Sequence, residues 1–371
     1  MFGMNYFESD AFLRACRLHD WTSVESMVRA GADVDALSCE SMSPLMYSIM
    51  GKNDVIFDFL VSQGADLEQQ NIEGETPIFW ALTSDKMLRH ILLFDVNVNH
   101  KNNNGVSPLM RAVQDINIET CILLLDAGAD VNIVDECGYT CLMFAIEAQN
   151  LELCILCLDS GASVNAINDF QMSVLHFAIR TCDMIFIQLL FEYDVQITEE
   201  VVEYAMCCRH MHVVELFIGR GAPMKNILFE CLTYGVYHFF PVLLKYGVDV
   251  HATKDGQTTM DILFQNWDPT AIHVCKELVQ LGVSCILDTG EHIMERVHNI
   301  ELLEWLSTHC TVQTDLEQEC SICFESIHKY NQIKTECGHF FCRTCLSRWY
   351  QRNITCPLCR KEIDEENLCT I

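Results

Sequence analysis

Positive charge is scarce in this chain of 371 residues: 23 Lys and Arg stand against 52 Asp and Glu, a net charge of −29. Such a surface repels nucleic-acid phosphate, so non-specific nucleic-acid binding is disfavoured and no nucleic-acid partner is expected. No apolar stretch approaches the 18 or so residues of a membrane-spanning helix, and no membrane partner is expected. The first residues, "MFGMNYFESDAFLRACR", lack a basic segment followed by an apolar run, so no signal peptide is expected. The last, "LCTI", places Cys369 third from the end where a prenylation box needs it fourth. A phosphate-cradling glycine loop is missing, as is any Ser/His/Asp arrangement at a recognisable spacing.

Cysteine, by contrast, is plentiful: 22 in all. Fourteen are scattered, many among apolar neighbours as in "ELCILCLDS", where Cys154 and Cys157 read as small core residues. Scattered thiols of this kind fit a reducing compartment, the cytosol or the nucleus, and a cytoplasmic protein is expected. The other eight lie in the last 52 residues. Residues 317–364 hold seven Lys/Arg and six Asp/Glu, a net of +1, which leaves −30 for the remainder. Two regions of such different charge are expected to meet different partners.

Upstream of that cluster the chain repeats itself. "SPLMYS" at Ser43, "TPIFWA" at Thr76, "SPLMRA" at Ser107, "TCLMFA" at Thr140 and "SVLHFA" at Ser173 are spaced by 33, 31, 33 and 33 residues. About twenty residues into each unit comes a glycine turn, at Gly31, Gly64, Gly128 and Gly161, with Asp95 and Asp194 in that place in two copies. Ser or Thr followed by Pro caps a helix start. A second apolar helix such as "ETCILLLDAG" ends at a glycine able to take the left-handed cap conformation. Two short helices cannot bury an apolar face alone, so the units must stack into a solenoid.

This pattern resembles the ankyrin repeat. The resemblance implies a mainly α fold: a solenoid over residues 8–287 of about eight or nine units, degenerate after 194. After Asp194 the turn glycines fall at Gly221, Gly247 and Gly282, spaced 27, 26 and 35. Units that short are expected to have lost the projecting finger. "GQTTMDIL" at Gly256 restores the box, and His176 is the one box histidine, expected to tie down backbone. Exposed finger residues in such a stack flank the turn, and they are the candidate substrate groove: Glu40, Met42, Ile72, Glu73, Glu75, Asn103, Asn104, Val106, Glu136, Tyr139, Asp169, Phe170 and Met172. A helical connector, 288–316, with apolar Ile293, Val297, Ile300, Leu303 and Leu306, is expected to cover the last unit.

The cysteine cluster reads C-x2-C, C-x-H, C-x2-C, C-x2-C: Cys320, Cys323, Cys337, His339, Cys342, Cys345, Cys356 and Cys359. A disulfide framework would not use the histidine. A redox pair needs one C-x-x-C, not three in tandem. A nucleophilic cysteine needs a base and a pocket. Zinc takes four thiolate or imidazole ligands, and these eight suffice for two closed structural sites.

The spacing closely resembles the RING finger of ubiquitin ligases, over residues 317–364, followed by a tail, 365–371. The resemblance implies a small zinc-stabilised α+β domain with interleaved ligands: Cys320, Cys323, Cys342 and Cys345 on a first zinc, Cys337, His339, Cys356 and Cys359 on a second. It also implies that Ile322, Trp349 and Pro357 bind a conjugating enzyme charged with ubiquitin. Arg360 is then the catalytic residue that restrains the ubiquitin, and Phe341 packs between the metal sites. The implied function is that of a RING-type ubiquitin-protein ligase. Its ankyrin repeats would recruit an unidentified protein substrate, and a RING-mediated dimer is compatible with the reading. A non-catalytic zinc scaffold or adaptor is the alternative.

Overall fold

The computed structural model describes residues 5–224, 226–287, 293, 300–309, 319–324, 332–334, 339–350 and 355–361. Cys337, Val297, Cys369 and the tail lie outside the described residues. The chain divides into two compact units, Met1–Gln196 and Ile197–Ile371.

In the first unit, helices come in antiparallel pairs: α1 (Asn5–Arg17) with α2 (Trp21–Arg29), α3 (Pro44–Met50) with α4 (Asp54–Ser62), and α5 (Pro77–Ala81) with α6 (Asp85–Ile91). The series continues with α7 (Pro108–Gln114) and α8 (Ile118–Asp126), α9 (Cys141–Glu147) and α10 (Leu151–Asp159), then α11 (Val174–Arg180) and α12 (Met184–Glu192). The caps explain the starts. The Ser43 hydroxyl accepts the Met46 N–H at 3.2 Å, Ser107 that of Met110 at 3.2 Å, and Thr140 that of Met143 at 3.3 Å. Asn53, Asn117 and Asn150 do the same for the second helices. Each such cap contributes about 1 kcal/mol. At His176 the ring Nδ1 accepts the Ser173 N–H at 3.0 Å. Met46, Met110 and Met143, at the same place in their units, are fully buried instead. Apolar burial thus takes over where the histidine is missing.

Between helix pairs the chain projects as fingers. At the base of each, one side-chain oxygen accepts two backbone N–H groups. Ser38 takes those of Glu40 and Met42, Asn71 those of Glu73 and Glu75, Asn102 those of Asn104 and Val106, Asp135 those of Cys137 and Tyr139, and Asn168 those of Phe170 and Met172. Successive fingers are joined by a backbone ladder: Ile72 N–H to Glu40 O at 3.3 Å, Asn103 to Glu73 at 2.9 Å, Glu136 to Asn104 at 3.1 Å, Asp169 to Cys137 at 3.0 Å. Glycine is required where the next finger comes closest. A Cβ on Gly105 (φ +74°) would lie 2.7 Å from the Glu136 nitrogen.

The second unit begins with α13 (Glu199–Cys207) and α14 (Met211–Gly219), α15 (Ile227–Thr233) and α16 (Phe240–Lys245), then α17 (Thr259–Gln265) and α18 (Ile272–Gln280). Residues 193–198 and 220–226, which lead into α13 and α15, are too short to build a finger. The finger returns before α17 as a hairpin of β1 (Thr253–Lys254) and β2 (Gln257–Thr258), turned by Asp255 (φ 52°) and Gly256 (φ 84°). Positive φ at both central residues is the twist-matched two-residue hairpin turn. A further helix, α19 (Ile300–His309), packs against α18. Leu302 and Leu306 on it are fully buried, as is Ile293, and Lys276 of α18 pairs with Glu301 at 3.1 Å. Beyond α19 lie a hairpin of β3 (Gln332–Lys334) and β4 (Phe340–Cys342), and helix α20 (Arg343–Tyr350).

The turn inside several helix pairs uses a left-handed residue that is not glycine: His19, Lys52, Ile116, Gln149 and Cys182, with φ between 52° and 59°. Ile116 is the costliest, because β-branching crowds that conformation. It is also 47% exposed, so it returns little burial. Ile116→Asn should therefore stabilise the fold by about 1 kcal/mol. Thermal unfolding followed by circular dichroism checks this, and a lowered midpoint would contradict it.

Candidate metal centre

Two tight turns carry the cysteine pairs at either end of the cluster. In the first, Cys320-Ser-Ile-Cys323, the Phe324 N–H donates to the Cys320 carbonyl at 2.8 Å. In the second, Cys356-Pro-Leu-Cys359, the Arg360 N–H donates to the Cys356 carbonyl at 3.0 Å, and the Cys356 N–H to the Lys361 carbonyl at 2.8 Å. Phe324 (φ 59°) and Arg360 (φ 62°) end their turns in the same left-handed conformation. With two residues between its ligands, each turn brings both of its thiols into one group. The third pair straddles an element boundary: Cys342 ends β4 and Cys345 lies in the first turn of α20.

The structure brings Cys320, Cys323, Cys342 and Cys345 together, their sulfur atoms all within 4.8 Å of one another. Cys323 Sγ lies 3.7 Å from Cys342 Sγ. Two thiolates at the zinc–sulfur bond length in a tetrahedron stand about 3.8 Å apart, so this edge fits the ion. A second group joins His339, Cys356 and Cys359 within the same limit. His339 Nδ1 is 3.6 Å from Cys356 Sγ, again the edge, about 3.6 Å, that a nitrogen and a sulfur ligand make on zinc. The donor set, soft sulfur with one imidazole, suits zinc rather than a hard cation. Both groups interleave along the chain. Between them lies a small core of Cys320, Phe341, Cys342, Leu346 and Cys356, with Phe341 fully buried.

The thiols of the first group differ in acidity. Burial pushes Cys345 up to about 12 and raises Cys342 further, with neighbouring sulfurs adding to both. At Cys320 burial also acts upward, but N–H groups of Cys323, Cys342 and Ile322 overcome it and bring the thiol to about 7. Four thiolates at these separations repel one another, and a divalent cation is what allows them all to ionise.

Ile322 is half-buried against the small core. Trp349, on α20, is 36% exposed and donates its indole N–H to the Thr355 carbonyl at 2.8 Å, which leans the ring toward the second turn. Pro357 is half-buried and Arg360 exposed. Two residues went unread in the sequence, Phe324 at 77% and Leu358 at 50% exposed. Their signal was an apolar side chain inside or just after a ligand turn. Helix α19 also lies against α20, so this small domain is packed onto the connector.

On the fingers, Glu40, Ile72, Glu73, Asn103, Asn104, Glu136, Asp169 and Phe170 are exposed, while Glu75, Tyr139 and Met172 are half-buried. Met42 and Val106 correct the expectation of exposed finger residues: they are only 4% and 9% exposed. They stand one residue before a helix cap, the place where Glu75, Tyr139 and Met172 are half-buried too, so this side of the finger base faces the core. Tyr139 stacks on Phe144 at 5.3 Å and meets Phe177 and Phe170 edge-on at 5.4 and 6.5 Å.

The family model for ankyrin repeats (3 copies) matches residues 12–102, 52–135 and 109–201, and that for the ring finger domain matches residues 318–360. Among curated proteins, "Probable E3 ubiquitin-protein ligase XERICO" of Arabidopsis thaliana is 43% identical over 53 residues, covering 14% of this chain and 33% of that protein. "E3 ubiquitin ligase TRIM40" of Homo sapiens is 41% identical over 66 residues, 16% of this chain and 25% of that protein. "Phosphocholine transferase AnkX" of Legionella pneumophila is 29% identical over 133 residues, 34% of this chain and 14% of that protein. This chain thus spans a third or less of each of these relatives. Among solved structures, the ankyrin repeat domain of Bcl-3, a unique member of the IkappaB protein family, matches with a TM-score of 0.47 at 25% identity. It covers 50% of this chain and 86% of its own.

Because ionised thiols are the ligands, zinc must displace protons from groups that burial holds as high as about 12. Affinity therefore rises with pH and falls on acidification. A chelator competition at a series of pH values checks this: the zinc retained should drop steadily from pH 8 to about pH 5. A flat profile would contradict the thiolate assignment.

Proposed function

Because the chain belongs to the ankyrin-repeat family and also carries a RING finger domain, we propose that it is a RING-type ubiquitin-protein ligase. The observation that supports this most is the interleaving of two ligand groups around one buried aromatic, with Trp349 left half in solvent beside the second turn. Two zinc ions per chain complete the reading, with Cys337 as fourth ligand beside His339, Cys356 and Cys359. When bound, zinc supplies the folding energy that so small a domain cannot draw from apolar burial.

The domain forms no bond to ubiquitin. Ile322, Trp349 and Pro357 dock a conjugating enzyme that carries ubiquitin as a thioester, and Leu358 extends the same apolar surface. A substrate lysine amine attacks the thioester carbonyl, the conjugating enzyme's thiolate leaves, and an isopeptide bond forms. The ligase contributes proximity and orientation, holding a flexible donor in an attack-ready geometry. Arg360 is suited to that restraint. Its backbone is fixed by the hydrogen bond to Cys356 while its side chain is exposed. A guanidinium offers five donors in a planar fork and can bridge two partners. The finger surface of the first unit recruits the protein substrate, and its acidic character selects basic segments.

Single-turnover discharge of a charged conjugating enzyme onto free lysine separates the roles. Arg360→Ala should keep the metal and bind the conjugating enzyme, yet slow discharge by at least about tenfold. Ile322→Ala or Trp349→Ala should instead weaken docking by about 1–3 kcal/mol, the worth of the apolar surface lost. Discharge by Arg360→Ala at the wild-type rate would remove that residue from the mechanism. No discharge by the wild-type chain with any conjugating enzyme in a panel would favour the zinc scaffold.

A further inference from the structure

The finger ladder of the first unit has an open end. Four carbonyls on successive fingers, those of Glu40, Glu73, Asn104 and Cys137, each accept an N–H from the following finger. Phe170 occupies the same place on the last finger. Among the described residues no N–H donates to its carbonyl, because residues 193–198 run directly into α13 and build no further finger. The Phe170 ring beside that carbonyl is 63% exposed, at the outer end of an aromatic series that starts at buried Phe177 and passes through Tyr139. Asp169 and Glu136, on the adjoining row, are exposed and form no ion pair among the described residues. The last finger thus offers an unused acceptor, an exposed aromatic and the unneutralised carboxylate of Asp169, with that of Glu136 on the finger before it.

We propose that this tip is a docking edge for an extended, basic and apolar segment of a partner protein, which adds the next rung of the ladder. The partner's backbone N–H donates to the Phe170 carbonyl, one of its large apolar side chains covers the Phe170 ring, and an Arg or Lys meets Asp169 and Glu136. Backbone addition of this kind gives affinity through the main chain and selectivity through the side chains. Gln171 (φ 61°) stands where Gly74, Gly105 and Gly138 stand on the inner fingers. Its Cβ does not bar the approach: the first rung forms, at 3.3 Å, over Ser41 (φ 54°), which also carries a Cβ. A second copy of this chain is the poorer fit. The matching free donor at the other end of the ladder, the Cys39 N–H, is flanked by exposed Glu40 and would bring like charge against Asp169.

The inference rests on reading the finger surface as the recruiting one, and its test contains no ubiquitin or conjugating enzyme, so it stands or falls apart from the ligase reading. The probe is a short labelled peptide of alternating arginine and leucine, titrated into the full-length zinc-loaded chain by fluorescence anisotropy. The comparison peptide has its leucine amides N-methylated, which removes the N–H donors and leaves charge unchanged. N-methylation and Phe170→Ala should each weaken binding by at least about tenfold, and Asp169→Asn by a smaller factor. Glu152→Gln, which removes an exposed carboxylate on α10 away from the fingers, should change it by less than about twofold. Circular dichroism verifies that Phe170→Ala remains folded. Equal binding of the N-methylated peptide, or an unchanged Phe170→Ala, would overturn the proposal and leave only charge attraction. Self-association in sedimentation equilibrium that is lost in Phe170→Ala would overturn it in favour of a second copy.

Discussion

One constraint governs the described part of the carboxy-terminal domain: cysteine and histidine side chains far apart in sequence must meet in common groups. Among the described residues its buried core is five side chains, two of them neither metal ligand nor cysteine, Phe341 and Leu346. A core that small cannot offset the conformational entropy of the 48 residues from 317 to 364. Interleaving solves the problem geometrically. Cys320 and Cys323 are tied to Cys342 and Cys345 across the β3–β4 hairpin, while His339, just before β4, is tied to Cys356 and Cys359 beyond α20. The two groups thus bracket β4, the strand that bears Phe341, with His339 just before it and Cys342 at its end. The two ligand turns then become rigid platforms, and the residues they project, Ile322 and Phe324 from one, Pro357, Leu358 and Arg360 from the other, are placed without a larger core behind them.

The first unit reaches stability by the opposite route, repeating a small set of local devices. Side-chain bonds at each finger base, Ser/Thr and Asn caps at α3, α4 and α7 to α10, and one rung between neighbouring fingers recur with the repeat period. Each joins only adjacent units, as nearest-neighbour stacking requires. Scattered cysteines belong to this packing. Cys121, Cys154 and Cys157 are buried, and desolvation pushes each thiol up to about 12, which makes them inert hydrophobes rather than redox groups.

Much of this was legible in the sequence because its physics is local. A Ser-Pro pair, as at Ser43–Pro44, announces a capped helix wherever it falls, and the C-x2-C turns announce paired thiols at a fixed reach. The shortened spacing after Asp194 corresponds to the short stretches 193–198 and 220–226 between helices, which have no length to project. What stayed hidden depends on tertiary neighbours. Met42 and Val106 flank a turn like their exposed neighbours, yet they stand directly before a helix cap, on the side of the finger base that faces the core. The exposure of Phe324 and Leu358 likewise follows from which side of each ligand turn faces the small core, a matter of three-dimensional closure and not of residue type. The open carbonyl of Phe170 is visible only once the ladder of preceding rungs is seen.

Zinc K-edge X-ray absorption on the metal-loaded full-length chain tests the interleaved ligation most directly, because it reads the ligands around the ion rather than the fold around them. Sharing of the eight ligands between an all-thiolate site and a three-thiolate, one-imidazole site predicts an average of about 3.5 sulfurs near 2.3 Å and about 0.5 nitrogen near 2.0 Å per zinc. An average shell of two or fewer sulfurs, completed by oxygen or nitrogen, would mean that the cysteine pairs do not close on common ions, and would contradict the account.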